Sequence, residues 1–219
     1  MNAIISPSIL TVEKDKIISD IKEIENCGAR WIHFDVMDGK FVPATTFSID
    51  EMRTYLSNTR AVKDVHIMIE NPKETAKQYI DAGANYLTFH YEACKDVVEV
   101  SSVIDLIHEY GAKAGLSVKP GTDIKVVLPF LNKLDLVLVM SVEPGKGGQK
   151  FINKSLSKIN LLKKYKEANN LNNLLIEVDG GINDKTSVSC VKKGANVLVI
   201  GSYLFNHPDF AERFKKINE

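Results

Sequence analysis

Cysteine is scarce in this chain and badly spaced for structural use. Cys27, Cys94 and Cys190 are odd in number and far apart. That excludes a disulfide scaffold and a thiolate metal site, and leaves three reduced, mostly buried thiols. Net charge is also missing, because 28 Lys plus Arg balance 28 Asp plus Glu. There is thus no bulk electrostatic case for nucleic acid or an anionic membrane as partner. No run is long and apolar enough to span a bilayer. The N-terminus reads directly as a strand, without a basic segment and apolar signal core. No Pro/Gly/Ser-rich linker interrupts residues 1–219, so a single domain is expected, in a cytoplasmic setting and as a homo-oligomer.

What the chain does have is a ruler. Gly-Ala recurs at Gly28-Ala29, Gly83-Ala84, Gly111-Ala112 and Gly194-Ala195. The gaps of 55, 28 and 83 residues are close to two, one and three steps of about 28. Gly is expected just past a helix C-terminus, where the backbone turns left-handed. The repeat is therefore a helix–Gly–strand unit, and 219 residues hold about eight. Expected strands are 3–6, 31–36, 62–69, 85–90, 113–118, 134–141, 173–178 and 196–200. Expected helices are 13–27, 48–57, 72–82, 97–110, 124–131, 155–169, 185–192 and 209–218. The strands are short and apolar on both faces, as in a parallel sheet covered by helices. The fold class is α/β, a closed (β/α)8 TIM barrel. An open doubly wound sheet is the rival, but no Gly-x-Gly-x-x-Gly follows the first strand.

Four polar residues stand out because they end apolar strand-like runs: His33, Asp35, His66 and Asp179. Unpaired buried charge is costly, so such groups have partners or a metal. Taken singly, each has an ordinary explanation as a core histidine or a helix-capping aspartate. In a barrel they come to the same C-terminal mouth, provided the shared parity of His33, Asp35 and Met37, and of His66 and Met68, faces inward. Two imidazoles and two carboxylates suit one divalent transition metal, Zn, Fe(II), Mn or Co. Met37, Met68 and Met140 would line the same mouth with polarizable, water-poor surface, or simply fill core.

Glycines crowd the ends of the last three strands, in Glu143-Pro-Gly-Lys-Gly-Gly-Gln149, in Asp179-Gly-Gly-Ile182 and in Gly201-Ser202. Each pair alone would be a tight turn. Three adjacent strand ends suggest a phosphate site built from backbone N–H groups. Lys146 adds either a charge to it or a solvated loop lysine. A metal, two carboxylates and a phosphate anchor suit enolisation of a small phosphorylated ketose. Removal of a proton on one face by one aspartate and its delivery on the other face by the second would invert the carbon.

At these residues the chain closely resembles the ribulose-phosphate 3-epimerase family, over its full length. The matching stretches are Ser6-Pro-Ser-Ile-Leu10, His33-Phe-Asp-Val-Met-Asp-Gly39 with Phe41-Val-Pro43, Asp64-Val-His-Ile-Met68 and Thr88-Phe-His-Tyr-Glu92. They continue in Val139-Met-Ser-Val-Glu-Pro-Gly145 with Gly147-Gly-Gln149, Glu177-Val-Asp-Gly-Gly-Ile182 and Gly201-Ser202. The resemblance implies interconversion of D-ribulose 5-phosphate and D-xylulose 5-phosphate in the pentose phosphate pathway. It implies His33, Asp35, His66 and Asp179 as metal ligands, Asp35 as proton acceptor and Asp179 as proton donor. It further implies Ser8 and His66 as substrate contacts. Gly145, Lys146, Gly147, Gly148, Asp179, Gly180, Gly181, Gly201 and Ser202 fall in the implied substrate and phosphate loops. Departures occur at Lys40, Ala44, Lys119 and Lys146, where the family usually has His or a similar residue, Asn, Asn and Phe. They lie on loops over the substrate and bear on affinity and lid behaviour rather than on the reaction. The rival functions are a D-allulose 6-phosphate 3-epimerase, a non-catalytic sugar-phosphate-binding protein, and a decarboxylating or aldol-type barrel, which would want a strand-end lysine.

Overall fold

The computed structural model describes residues 3–218; Met1, Asn2 and Glu219, at the ends of the expected domain, lie outside the described residues. Eight strands, β1 (Ile4–Pro7), β2 (Trp31–Met37), β3 (Val62–Met68), β4 (Tyr86–His90), β5 (Lys113–Val118), β6 (Leu136–Met140), β7 (Leu175–Asp179) and β8 (Val197–Ile200), alternate with helical segments. The helices are α1 (Ile17–Asn26), α2 (Ile49–Ser57), α3 (Pro72–Asp81), α4 (Val97–Glu109), α5 (Ser155–Ala168), α6 (Asp184–Lys193), α7 (Ser202–Phe205) and α8 (Phe210–Asn218). The strands pair in parallel, in the order β1-β8-β7-β6-β5-β4-β3-β2. A parallel bridge between Ser8 and His33 joins the two ends of that order and makes the sheet a barrel.

The Gly-Ala ruler has a local cause. Gly28, Gly83, Gly111 and Gly194 all take positive φ, between 83° and 114°. The alanine after each donates its N–H to a carbonyl five residues back, Ala29 to Ile24, Ala84 to Tyr79, Ala112 to Ile107 and Ala195 to Cys190. That is the helix-ending Schellman bond, and the small buried alanine supplies its apolar contact. After α5 the same bond runs from Leu171 to Lys166, with Asn170 as the left-handed residue. The repeat skips this position because Asn tolerates that conformation too.

Besides single 3-10 turns at Ile9–Thr11 and Tyr91–Ala93, two segments depart from expectation. Residues 124–131 form a 3-10 helix, Ile124–Phe130, because Pro129 inside it has no N–H to give an α-helical bond. The short helix α7 was not expected; it starts directly after the Gly201 turn.

Parity works as anticipated. Residues paired in register share a side of the sheet, and His33 aligns with Asp64, Asp35 with His66, and Met37 with Met68. The barrel floor is apolar, built from Trp31, Leu136, Leu138 and Val197 with Ile4 and Tyr86. Above it the interior turns polar, with Ser6, His33, Asp64, Thr88, Ser117 and Glu177 wholly buried. The outer strand faces and the helices share the main core, which includes Ile32, Phe34, Ile67, Phe89, Leu116 and Val139.

Candidate active site

His33, Asp35, His66 and Asp179 each offer a ligand atom, and these atoms all lie within 4.8 Å of one another. His33 and His66 are fully buried, Asp35 nearly so, and Asp179 is partly open to the mouth. Asp35 Oδ1 is 3.3 Å from His33 Nε2 and 3.1 Å from His66 Nδ1. Donor atoms about 2.0–2.2 Å from a common cation would sit about 3 Å apart, so these separations fit a shared ion. Orientation is fixed from behind. His33 Nδ1 is 2.7 Å from Asp64 Oδ2, which also accepts from Ser6 Oγ at 3.0 Å, and this leaves Nε2 of His33 toward the cluster. The cluster thus could hold a divalent metal ion.

The electrostatics divide the two aspartates. Burial raises the Asp35 carboxyl, but the charge and hydrogen bonds of His33 and His66 outweigh it and hold Asp35 far below the usual range. Ser8 Oγ adds a hydrogen bond to Asp35 Oδ2 at 2.8 Å. Asp179 goes the other way, pushed up to about 7 by burial and then by the negative charge of Asp35. One carboxyl is held ionised and the other holds its proton near neutrality. A bound cation would lower Asp179 again. Deeper in the barrel, burial and the Asp64 charge raise Glu177 well above its ordinary value. Both Glu177 carboxyl oxygens and Asp64 Oδ1 are buried without a hydrogen-bond partner.

A cleft of about 550 Å³ opens above the cluster. Asp35 and Asp179 reach its wall, as do Ser8 and Met37, Met68 and Met140. So do Gly145, Lys146, Gly147 and Gly148, then Gly180, Gly181, Gly201 and Ser202. His33 and His66 lie beneath and do not line it. The loops are braced by their own side chains. Ser141 Oγ donates to the carbonyls of Asp179 and Gly180, at 2.7 Å each. Gln149 Nε2 donates to the carbonyls of Glu143 and Lys146, also at 2.7 Å. Gly181 has φ +64°, and a Cβ there would meet Phe151 N at 2.5 Å.

Four groups went unremarked as site residues in the sequence: the buried Asp64, His90 and Glu177, and the half-buried Glu92. Asp64 and Glu177 carried the same signal as the four chosen, a charge inside an apolar strand, one step of equal parity below His66 and Asp179.

Parallel closure, inward carboxylates at the mouth and glycine turns opposite define a (β/α)8 barrel with its candidate site at the C-terminal ends of the strands. Comparison with known proteins narrows this. The profile of the ribulose-phosphate 3 epimerase family matches residues 4–205, and the chain belongs to that family. A ribulose-phosphate 3-epimerase of Bacillus subtilis is 41% identical over 98% of this chain and 96% of its own. One from Mycobacterium bovis is 42% identical over 94% of this chain and 87% of its own. Among solved structures, a 3-keto-L-gulonate-6-phosphate decarboxylase from Vibrio cholerae superimposes with TM-score 0.74 over 100% of this chain and 96% of its own. At 8% identity it shares the fold alone.

Proposed function

We propose that this chain is an isomerase, a ribulose-phosphate 3-epimerase that interconverts D-ribulose 5-phosphate and D-xylulose 5-phosphate within the pentose phosphate pathway. The observation that carries the reading is the pair Asp35 and Asp179, on β2 and β7, whose carboxyl oxygens lie within 4.8 Å of each other at one cleft. Ionised Asp35 takes the proton from C3 on one face of the sugar. The electron pair of that C–H bond moves into the planar enediolate. Protonated Asp179 then delivers its proton to C3 on the opposite face, and the two carboxyls have exchanged states. A divalent transition metal (Zn, Fe(II), Mn or Co) held by His33, Asp35, His66 and Asp179 would supply positive charge beside the carbon acid and lower the cost of deprotonation. Ser8 orients Asp35 and contacts substrate. Met37, Met68 and Met140 keep water from the intermediate. Backbone N–H groups of the loops at Gly145–Gly148, Gly180–Gly181 and Gly201–Ser202 hold the phosphate. His66 acts from below as a ligand; its burial beneath the cleft speaks against the direct substrate contact implied by the resemblance.

A lysine-based decarboxylase or aldolase is disfavoured. The strands carry lysine only at their entry ends, Lys63 and Lys113, and Lys119 just past β5 lies over the Phe41 ring. A binding protein without catalysis would have no need of two carboxyls poised oppositely. We also read the chain as one catalytic domain, cytoplasmic in keeping with its three free thiols. The homo-oligomer belongs to the proposal as well, with the exposed Val97 and Val98 at the head of α4 as apolar surface that association would cover. No helix among the described residues is long and apolar enough to cross a membrane. The decisive experiment follows solvent deuterium into C3 of ribulose 5-phosphate, with allulose 6-phosphate alongside. Rapid incorporation with the pentulose and slow with the hexulose is expected; the reverse order would reassign the substrate, and none with either would end the epimerase reading.

A further inference from the structure

The ring of His66 has a second neighbour that the proposed reaction does not use. Its Nε2 lies 2.9 Å from Nε2 of His90, and His90 Nδ1 lies 3.3 Å from Glu92 Oε2. Both rings are buried. Only one hydrogen fits between two nitrogens at that separation, so one ring donates and the other accepts. With a cation bound between His66 Nδ1 and Asp35, the ion replaces the hydrogen bond those atoms share in the metal-free protein, and Glu92 decides which. Its Oε1 accepts from Lys119 N at 2.8 Å and from the Thr122 hydroxyl. Burial opposes its charge, but these bonds and the one from His90 hold its carboxyl down to about 2. A carboxylate facing His90 Nδ1 requires a proton on that nitrogen. His90 Nε2 is then bare and must accept from His66 Nε2–H. His66 Nδ1 is then bare in turn, and it is the atom that faces Asp35 and the cluster.

We propose that Glu92, acting through His90, is a positioning residue that fixes the tautomer of His66 so that Nδ1 is free to bind the metal. This rests on the metal reading of the cluster given above. The two histidine ligands are thereby oriented by different carboxylates, His33 directly by Asp64 and His66 through one intervening imidazole.

The substitution Glu92→Gln tests it at constant size. The amide oxygen would take over the bonds from Lys119 and Thr122, so the amide NH2 would face His90 Nδ1 and donate to it. The relay then reverses and puts a hydrogen on His66 Nδ1. Zinc affinity of the chelator-stripped protein, measured by calorimetry, is expected to fall about 10–100-fold. An affinity within about twofold of the unsubstituted chain, well short of that range, overturns the proposal. Should the variant not fold, nitrogen-15 correlation of the histidine rings in the zinc-loaded unsubstituted protein decides instead. His90 protonated on Nδ1 is expected, and His90 protonated on Nε2 overturns the relay. His33→Ala separates the two readings: if it leaves zinc binding intact, the metal reading itself fails. If it abolishes binding while Glu92→Gln does not, the relay alone fails.

Discussion

The β1–β4 side of the barrel and the β5–β8 side present different materials to one mouth. The first presents the side chains of Ser8 and Asp35, with His33, His66 and His90 beneath them, each locked by a neighbour. The second presents mostly backbone, in glycine turns where a side chain would collide; a Cβ on Gly180 would meet Val142 Cγ2 at 2.4 Å. Asp179 is the exception, a charged group carried by the backbone side, and at the mouth it faces the other side's carboxylate. The division separates chemistry from grip. Proton transfer needs pKa control, which comes from buried side-chain neighbours. A phosphate, with its charge spread over several oxygens, is gripped by N–H groups that only close backbone approach provides.

The comparison is tested most severely at the two aspartates. Asp35→Asn and Asp179→Asn are each expected to lower kcat by at least about 10²–10⁴-fold, the usual contribution of a positioned acid or base. Cooperative thermal unfolding should persist in both. Near-full activity in either variant would remove the two-base mechanism. Chelation should likewise silence the unsubstituted enzyme, with a divalent transition metal restoring it.

Next in size is the backbone side. Gly181→Ala places a methyl where φ is +64° and Phe151 N stands 2.5 Å away, so the loop must shift. KM is expected to rise about tenfold, roughly 1.4 kcal/mol of lost binding, with kcat changed far less. If kcat falls with KM unchanged, the glycine loop serves the transition state and the division into chemistry and grip is wrong.

Legibility in the sequence follows the same line. The barrel was readable because Gly-Ala marks a local bond that each helix end repeats, from Ala29 to Ala195. His33, Asp35, His66 and Asp179 were readable because polar groups in apolar strands are rare and their parity is fixed. Asp64 and Glu177 had the same mark, but nothing in one sequence says that His33 needs Asp64 rather than a water. His90 and Glu92 were harder still. Their role depends on a nitrogen-to-nitrogen contact across two strands, which no spacing rule reveals. The Ile124–Phe130 segment shows helical spacing in the sequence, but Pro129, which has no N–H to give, makes it 3-10.

A third effect is a pH dependence of stability. The folded-state pKa of Asp179 is raised to about 7 from an ordinary 3.8. The folded state therefore binds more protons between those values, so this group costs stability increasingly as pH rises through that window. His66 and His90 are lowered by burial and act in the opposite sense, so a difference measurement is needed. In chelator, Asp179→Asn is expected to unfold at higher temperature than the unsubstituted chain at pH 7.5. A gap of about 2–4 °C corresponds to about 1 kcal/mol in a domain of this size. The gap should close toward pH 4. A gap independent of pH would mean that Asp179 is not the strained acid, and would weaken its assignment as proton donor.

The smallest effect concerns the place where the two sides touch above the mouth. Lys119, just past β5, sets its Nζ 4.1 Å from the ring centroid of Phe41 in the loop after β2. Phe41 in turn lies against His90, with ring centroids 4.8 Å apart. The contact spans the division between the sides. A partly exposed cation–π contact contributes about 0.5–1 kcal/mol. If it holds the mouth closed over bound substrate, Lys119→Met should raise KM about two- to fivefold with kcat unchanged, since the methionine keeps the apolar stem and loses only the charge. If KM stays level while thermal stability falls, the contact only ties two loops together and has no part in holding substrate.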